Sequence, residues 1–225
     1  MKLSVIIPVY NEIETLKPLL DKVLAVPLEK EIIIVDDLST DGTRNLLKTI
    51  KNDNITIIYH DKNKGKGSAI RTGLQYVSGD VVIVQDADLE YDPNDYLKLI
   101  EPIKAGKADV VYGSRFMGRP EQMTFAHLFG NKLLTWITNI LYGSKLTDMS
   151  TCYKMIKTPV IKSIKLRSTR FEFCPEITAK LLKNKKEILE IPITYTARNW
   201  NEGKKITWKD GFEHIWALIK YRFTD

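Results

Sequence analysis

The chain has 225 residues, of which 44% are apolar and 28% charged, and its formal net charge is +6 at neutral pH. This composition argues against a disordered chain, and the length is sufficient for one domain with its own core or one domain with an appendage. Its two cysteines, Cys152 and Cys174, are far apart in sequence and accompany only three histidines, which argues against a zinc site or a disulfide-built fold and indicates reduced core thiols. The basic excess suits nucleic acid, an anionic membrane or a phosphate-bearing substrate, besides simple solubility.

Short apolar runs rich in Val and Ile alternate with helical patterns in the first half of the chain. Strands are predicted at 3–9, 31–35, 55–59, 80–84 and 109–112, and helices at 14–24, 43–51, 68–77 and 94–104. Strands that are apolar throughout and separated by helices predict an α/β fold, in which a mostly parallel sheet has helices on both faces. In such sheets ligands bind at the carboxyl ends of the strands.

The second half is predicted to be mainly helical. A long helix is predicted over 123–142, ended by Gly143, with shorter helices over 176–182 and 210–222 and a strand over 188–195 that holds Pro192 at an edge or bulge. No stretch reaches the roughly 18 uninterrupted apolar residues of a membrane-spanning helix, and the N-terminus lacks a signal-peptide pattern. We therefore predict a single domain over residues 1–225.

Polar side chains follow the predicted strands and should meet at one edge of the sheet. Asp86 and Asp88, separated by the small Ala87, follow the fourth strand and can converge on one hard cation such as Mg²⁺ or Mn²⁺. Glu90 can add a third oxygen ligand. Such a metal would bridge a diphosphate and stabilise the charge that develops as it leaves. The alternative is a set of loop carboxylates that only cap and turn the chain.

Two further signals lie at the same predicted edge. Ser39 or Asp41 can cap the next helix, which leaves Asp37 to accept hydrogen bonds from a base or ribose, unless it too serves only the turn. The Lys64–Gly67 segment has glycines that permit close approach, and the helix N-terminus that follows favours an anion. This segment does not have the pattern of a P-loop. No GxGxxG motif follows the first strand, which disfavours a dinucleotide cofactor.

These motifs resemble glycosyltransferase family 2, whose fold is known as GT-A. The matching segments are 4–12, 35–43 and 86–88. Segments 64–73, 112–116, 147–154 and 171–173 are similar to the branch that transfers hexoses to polyprenyl (dolichyl) phosphates, so the resemblance extends over nearly the whole chain. It implies a nucleotide-sugar-binding half over 1–116 and an acceptor-binding half over 117–225.

The resemblance also implies roles for residues at the matching positions. The metal ligands would be Asp86 and Asp88 with Glu90 assisting, although relatives often have Gln at this last position. The nucleotide-sugar-binding residues would be Pro8, Tyr10, Glu12, Asp37, Lys66, Asp86, Ala87, Asp88, Arg198 and Lys204. The catalytic residues would be Asp148, Asp88 and Arg115, with Arg115 in contact with phosphate. Arg198 and Lys204 would close over the diphosphate; Lys205 can replace Lys204, and a solvated basic loop is the alternative.

The implied reaction is an inverting displacement that moves mannose or glucose from GDP-mannose or UDP-glucose to a polyprenyl phosphate. A phosphate monoester is already mostly ionised near neutral pH, so we expect Asp148 to matter more as an active-site residue than as a proton acceptor. A family 2 enzyme with a soluble glycan or protein acceptor is one alternative, and a non-catalytic nucleotide-sugar-binding module is another. A nucleotidyltransferase would need an N-terminal glycine-rich loop with basic residues, and a nucleic-acid binder a continuous basic stripe; the sequence has neither.

A polyprenyl acceptor implies access to a membrane. Many relatives carry transmembrane helices after the catalytic domain, whereas this sequence stops at Asp225, as a naturally shorter or a shortened chain would. The helices predicted over 123–142 and 210–222 contain Trp136, Trp216 and Tyr221 with lysines nearby, which suits either a membrane interface or packing on the domain; packing is favoured for the second helix. We therefore expect a cytoplasmic protein that is peripheral at the cytoplasmic face of a membrane.

Overall fold

A computed structural model of the chain describes residues 1–118, 120–198 and 208–224. Within these ranges seven strands form one sheet, in the order β3-β2-β1-β4-β6-β5-β7. The strands are β1 (Leu3–Val9), β2 (Lys30–Asp36), β3 (Ile55–Tyr59), β4 (Val81–Val84), β5 (Val110–Ser114), β6 (Lys154–Lys157) and β7 (Leu189–Pro192). Every neighbouring pair is parallel except the two pairs that β6 makes with β4 and β5. The predicted mostly parallel α/β sheet is confirmed, and β6 is a strand that the sequence pattern did not predict.

Helices follow the strands in the predicted alternation through the first half. They are α1 (Leu16–Ala25), α2 (Thr43–Thr49), α3 (Lys66–Leu74), α4 (Tyr96–Lys104, after a 3₁₀ turn at Pro93–Asp95), α5 (Phe125–Tyr142), α6 (Thr158–Lys162), α7 (Phe173–Lys183) and α8 (Trp208–Phe223). The strand predicted over 188–195 ends at Pro192 and lies at the edge of the sheet beside β5, so the expected edge position of this proline is confirmed.

The central strand β1 is buried on both faces of the sheet. Leu3, Val5 and Ile7 belong to a core shared with α1 and α4, while Ile6 belongs to a second core shared with α3 and α7. Successive side chains of a strand point to opposite faces, so a strand covered by helices on both sides must be apolar at every position. This is why the strand pattern is continuous rather than alternating.

The carboxyl ends of β1, β2 and β4 meet at one edge of the sheet. Val9 is in register with Asp36, and Ile6 with Val84, so the segments that follow these strands emerge side by side. Asn11, Leu38 and Leu89 turn the chain there with positive φ angles of 54°, 64° and 64°. A left-handed backbone costs roughly 1–2 kcal/mol for a residue with a Cβ, and such strain concentrates at functional sites.

Helices α5 and α8 pack on each other and on α7. Leu134 of α5 and Leu218 of α8 are buried, so one face of each helix packs on the domain as predicted for the C-terminal helix. The opposite faces expose large apolar side chains: Phe125, Phe129, Trp136 and Ile140 on α5, and Phe212, Trp216 and Phe223 on α8. We call these seven residues the aromatic face. None of the described helices is long and apolar enough to span a membrane.

Candidate active site

A cavity of about 1320 Å³ opens at the carboxyl edge of the sheet and extends to α5. It brings together most of the residues that the sequence singled out. Those that line it are Pro8, Tyr10, Glu12, Asp37, Lys66, Asp86, Ala87, Asp88, Glu90, Arg115 and Arg198. Asp148 does not line the cavity but lies behind Arg115, with no solvent-exposed surface. Lys204 lies outside the described residues.

The acidic pair after β4 contacts a lysine side chain and the backbone at this edge of the sheet. One oxygen of Asp86 lies 2.6 Å from the Nζ of Lys66, and the Oδ1 of Asp88 accepts a hydrogen bond from the backbone N–H of Glu90 at 3.1 Å. Burial, followed by the charges of Asp86 and Glu90, raises the pKa of Asp88 to about 8. The raised pKa shows that it is unfavourable for both carboxylates to be ionised together, and a divalent cation between them would relieve this. In this structure the Lys66 ammonium occupies the position beside Asp86.

The described residues do not form a complete metal site by themselves. No three of their acidic, histidine or cysteine side chains are gathered closely enough to hold an ion. Magnesium sites often use one or two carboxylates and take their other ligands from substrate phosphates and water. The Asp86 and Asp88 pair therefore fits a metal that a bound diphosphate would help to hold.

Arg198 forms one wall of the cavity and ties two strand ends together. Its guanidinium donates to the Oε2 of Glu12 at 2.8 Å and to the backbone oxygen of Asp88 at 2.8 Å. Its backbone N–H donates to the Oε1 of Glu90 at 2.7 Å, while the Tyr195 hydroxyl donates to the other oxygen of Glu90 at 2.8 Å. Both oxygens of Glu90 thus accept hydrogen bonds here, and its role as a metal ligand stays a prediction.

Asp37 is engaged with the protein's own backbone. Its Oδ1 accepts the N–H of Lys64 at 2.8 Å and lies 2.7 Å from the Nδ1 of His60, and its Oδ2 accepts the N–H of Gly65 at 2.7 Å. Only 3% of the residue is exposed. Asp37 therefore holds the loop that leads into α3, and its contact with a nucleoside stays a prediction.

The glycines of this loop permit the close approach of another backbone segment of the same protein. A Cβ on Gly67 would lie 2.7 Å from the backbone oxygen of Ser168, and Gly65, with a φ of +87°, would collide with that of Thr169. The N–H of Ser68 donates to the same Thr169 oxygen at 3.1 Å. The glycines thus seat the start of α3 against the segment before α7, a contact that the sequence did not reveal.

Arg115 and Asp148 form a buried two-pronged ion pair. The guanidinium donates from Nε to Oδ2 at 2.7 Å and from Nη2 to Oδ1 at 2.8 Å. Burial alone would lower the pKa of Arg115, but the Asp148 carboxylate, together with Tyr91 and Tyr195, more than offsets it and raises that pKa. Glu190, which sequence reasoning missed, accepts the backbone N–H groups of Thr147 and Asp148 at 2.6 and 2.9 Å. Asp148 therefore has the contacts of a residue that acts through Arg115, and its catalytic role stays a prediction.

Helix α5 contributes one side of the cavity. His127, Asn131 and Leu134 line it, at helical spacing and away from the aromatic face. The prediction of this helix rests on its apolar residues, so it does not single out the polar pair His127 and Asn131. Their separation of one helical turn is the signal that could have placed them on one face.

The fold of the chain is similar to that of solved glycosyltransferase structures. The crystal structure of glucosyl-3-phosphoglycerate synthase from Mycobacterium tuberculosis, in complex with Mn²⁺, UDP and phosphoglyceric acid, has a TM-score of 0.77 to this chain. The match covers 100% of this chain and 79% of the other at 16% identity. The predicted GT-A fold is confirmed.

Sequence comparison gives the family. The model of glycosyl transferase family 2 matches residues 4–165. Dolichol-phosphate mannosyltransferase from Pyrococcus furiosus is 33% identical over 98% of this chain, which spans 64% of that relative's length. The UDP-N-acetylglucosamine--dolichyl-phosphate N-acetylglucosaminyltransferase of Methanococcus voltae is 30% identical, over 95% of this chain and 93% of the relative. The chain belongs to glycosyl transferase family 2, and the predicted family and enzyme class, a glycosyltransferase, are confirmed.

Proposed function

We propose that this chain transfers a hexose from a nucleoside diphosphate sugar, GDP-mannose or UDP-glucose, to a polyprenyl phosphate. One observation carries the proposal: a single cavity joins the Asp86 and Asp88 pair to the inner side of α5, whose outer side bears part of the aromatic face. A donor diphosphate and a lipid-linked phosphate can therefore meet in one space. The relatives named for dolichol and dolichyl phosphate support this class of acceptor.

The donor end of the cavity is suited to a diphosphate. Asp86 and Asp88 would hold Mg²⁺ or Mn²⁺, which when bound would neutralise the nucleoside diphosphate as it leaves. Lys66 and Arg198 are cations at the same end, and Arg198 is fixed in place by Glu12. These side chains would orient the diphosphate so that its bond to the sugar points along the cavity.

The acceptor end needs little proton chemistry. An oxygen of the acceptor phosphate attacks the anomeric carbon from the side opposite the leaving nucleoside diphosphate, and the carbon–oxygen bond to this diphosphate breaks. The leaving group takes the electron pair, and the configuration of the sugar is inverted. Because the acceptor phosphate is largely ionised already, the work of the protein is to position it, for which Arg115 presents a guanidinium held by Asp148.

A donor and acceptor screen tests this proposal. GDP-mannose, UDP-glucose and UDP-N-acetylglucosamine are each incubated with a short polyprenyl phosphate and Mg²⁺ or Mn²⁺, and products are identified by mass spectrometry. We expect one donor to give a glycosylated lipid phosphate, with no product when EDTA is added or when the matching polyprenol replaces the phosphate. Transfer only to a soluble glycan or peptide would favour the soluble-acceptor alternative. Donor binding without turnover on any acceptor would favour a non-catalytic module.

We also propose that the aromatic face rests in the surface of an anionic membrane. Trp136 is 61% exposed and Trp216 is 66% exposed, on helices that pack together. Lys132, Lys220 and Arg222 are exposed on the same two helices. Aromatic side chains with nearby basic residues are typical of helices that lie in a membrane interface, and this placement would bring a lipid-linked phosphate to the cavity.

Vesicle binding tests this surface. Replacing both Trp136 and Trp216 with Ser is expected to lower the partition of the chain onto phosphatidylglycerol-containing vesicles by about tenfold per indole, because each exposed ring loses its apolar burial. Sedimentation with vesicles measures the partition. Tyr76→Ser is the matched control, since Tyr76 is 50% exposed elsewhere on the chain. Equal loss in the control, or no loss in the double variant, would contradict the proposed surface.

A further inference from the structure

Cys152 and Cys174 lie side by side in the wall of the cavity. Both are free thiols, as predicted. The sulfur of Cys174 also lies 3.9 Å from the backbone oxygen of Thr151, the residue before Cys152. Both cysteines line the cavity, so small molecules that enter it reach the pair. The fold thus forms a dithiol from two residues that are distant in sequence.

Cationic side chains surround this dithiol. The Nζ of Lys66 donates to the sulfur of Cys152 at 3.1 Å, and the Nζ of Lys154 is held between the backbone oxygens of Met149 and Thr151. The hydrogen bond from Cys152 holds the pKa of the Cys174 thiol well below its usual range, and the Lys154 and Lys66 ammonium groups act in the same direction against burial. The hydrogen bond to Cys174, followed by burial and the charge of Asp86, raises the pKa of the Cys152 thiol well above its usual range. Because the thiolate is the reactive form of cysteine, Cys174 is the sulfur of the pair that attacks first.

We propose that Cys152 and Cys174 are a reversible modification site, which a low-molecular-weight disulfide converts into an intramolecular disulfide in the wall of the cavity. The Cys174 sulfur attacks one sulfur of the small disulfide and releases one small thiol, leaving a mixed disulfide. The Cys152 sulfur then attacks the Cys174 sulfur and releases the second small thiol. The protein pair loses two electrons and two protons, and the small disulfide gains both, which returns two thiols.

The modification would reach the candidate metal site through Lys66. The same ammonium contacts the Cys152 sulfur at 3.1 Å and an oxygen of Asp86 at 2.6 Å. A disulfide sulfur is a poorer hydrogen-bond acceptor than a thiol or thiolate, so oxidation would leave Lys66 more fully paired with Asp86. Since a metal must displace Lys66 from this carboxylate, the oxidised chain should bind Mn²⁺ more weakly than the reduced chain.

Thiol counting tests the modification without any assay of sugar transfer. The chain has only two cysteines, so alkylation followed by mass spectrometry reports on this pair alone. In glutathione buffers we expect the native chain to pass from two free thiols to none, without retained glutathione. At the midpoint of this change, the ratio of the squared concentration of glutathione to the concentration of glutathione disulfide should be at least about tenfold higher for the native chain than for the same chain unfolded in guanidinium. The reason is that the fold holds the two sulfurs together. Cys152→Ser and Cys174→Ser are expected to give only a mixed disulfide with glutathione.

Several results would overturn the proposal. These are equal or weaker oxidation of the native chain relative to the unfolded chain, glutathione retained on both cysteines, or a link between two chains on a non-reducing gel. The comparison of native with unfolded wild-type chain stands even where a serine variant folds poorly. Titration of Mn²⁺ against the reduced and oxidised forms then tests the coupling: a loss of affinity of about threefold or more is expected, and equal affinity would refute the role of Lys66.

Discussion

Replacing Asp88 with Asn is expected to lower hexose transfer at least about 10³-fold while the chain remains folded. An asparagine has the shape of Asp88 and can still accept the backbone N–H of Glu90, but it lacks the charge that would bind a divalent cation. Stabilisation of a leaving diphosphate by a metal is worth several kcal/mol, and about 4 kcal/mol corresponds to this loss of rate. The measurement is the initial rate with the donor and acceptor that the screen identifies.

The control for this variant is Asp53→Asn, which removes an exposed carboxylate in the turn before β3. Both variants are compared by thermal unfolding and by titration with Mn²⁺. We expect the control to match the wild type in every measurement and Asp88→Asn to lose metal affinity without losing its unfolding transition. Normal turnover or unchanged Mn²⁺ affinity in Asp88→Asn would show that the acidic pair does not hold the metal.

Because the pKa of Asp88 is raised, Asp88→Asn should also change how the Mn²⁺ affinity depends on pH. In the metal-free chain this carboxyl, with a pKa of about 8, carries its proton at neutral pH, whereas a metal binds only the ionised form. Metal binding must therefore displace the proton, so the apparent Mn²⁺ affinity should fall about tenfold per pH unit below pH 8 and level off above it. Asp88→Asn should lose this slope. A wild-type affinity that does not change with pH would contradict a metal contact with Asp88.

The first half of the fold, residues 1–116, could be predicted because its signals are local. Strands such as β1 are apolar at every position, and polar residues begin where each strand ends, as at Asp86. Strand β6 lacks such a signal, because lysines stand at both of its ends. The buried Lys154 ammonium is accommodated by two backbone oxygens and by the ring of Tyr112, whose centre lies 4.5 Å away. These partners come from elsewhere in the fold, so no local pattern predicts them.

The contacts at the site that the sequence did not predict join residues that are far apart in the chain. Asp148 and Arg115 could be singled out by resemblance, but the contact between them depends on how the segment before β6 folds back on β5. Glu190 lies on β7, Cys152 lies in a loop, and Cys174 lies in the first turn of α7. Long-range pairs of this kind are set by the topology of the sheet. A single sequence carries the residue types but not their pairing.

Removing the carboxylate from the Arg115 and Asp148 pair should lower both the stability of the chain and the rate of hexose transfer. Asp148→Asn is expected to destabilise the chain by about 3 kcal/mol, because the buried Arg115 charge loses its compensating carboxylate. Hexose transfer should fall about 10²-fold in the same variant, since a guanidinium that is no longer gripped at two points positions the acceptor phosphate less well. Urea unfolding and steady-state rates measure the two effects. The control is Asp109→Asn, which breaks the partly exposed ion pairs with Lys157 and Lys186 and should cost less than about 1 kcal/mol.

The pH profile of transfer distinguishes the two roles that Asp148 can have. If Asp148 acts through Arg115, Asp148→Asn should lower the rate at every pH without changing the shape of the profile, because neither residue exchanges a proton during the reaction. Arg115→Lys should reproduce the loss of rate, since lysine lacks the forked guanidinium that fits the carboxylate. If Asp148 is the proton acceptor, the wild type should show an acidic limb that Asp148→Asn removes, and Arg115→Lys should retain that limb. Loss of the limb with little loss of stability would make Asp148 a base and Arg115 only its neighbour.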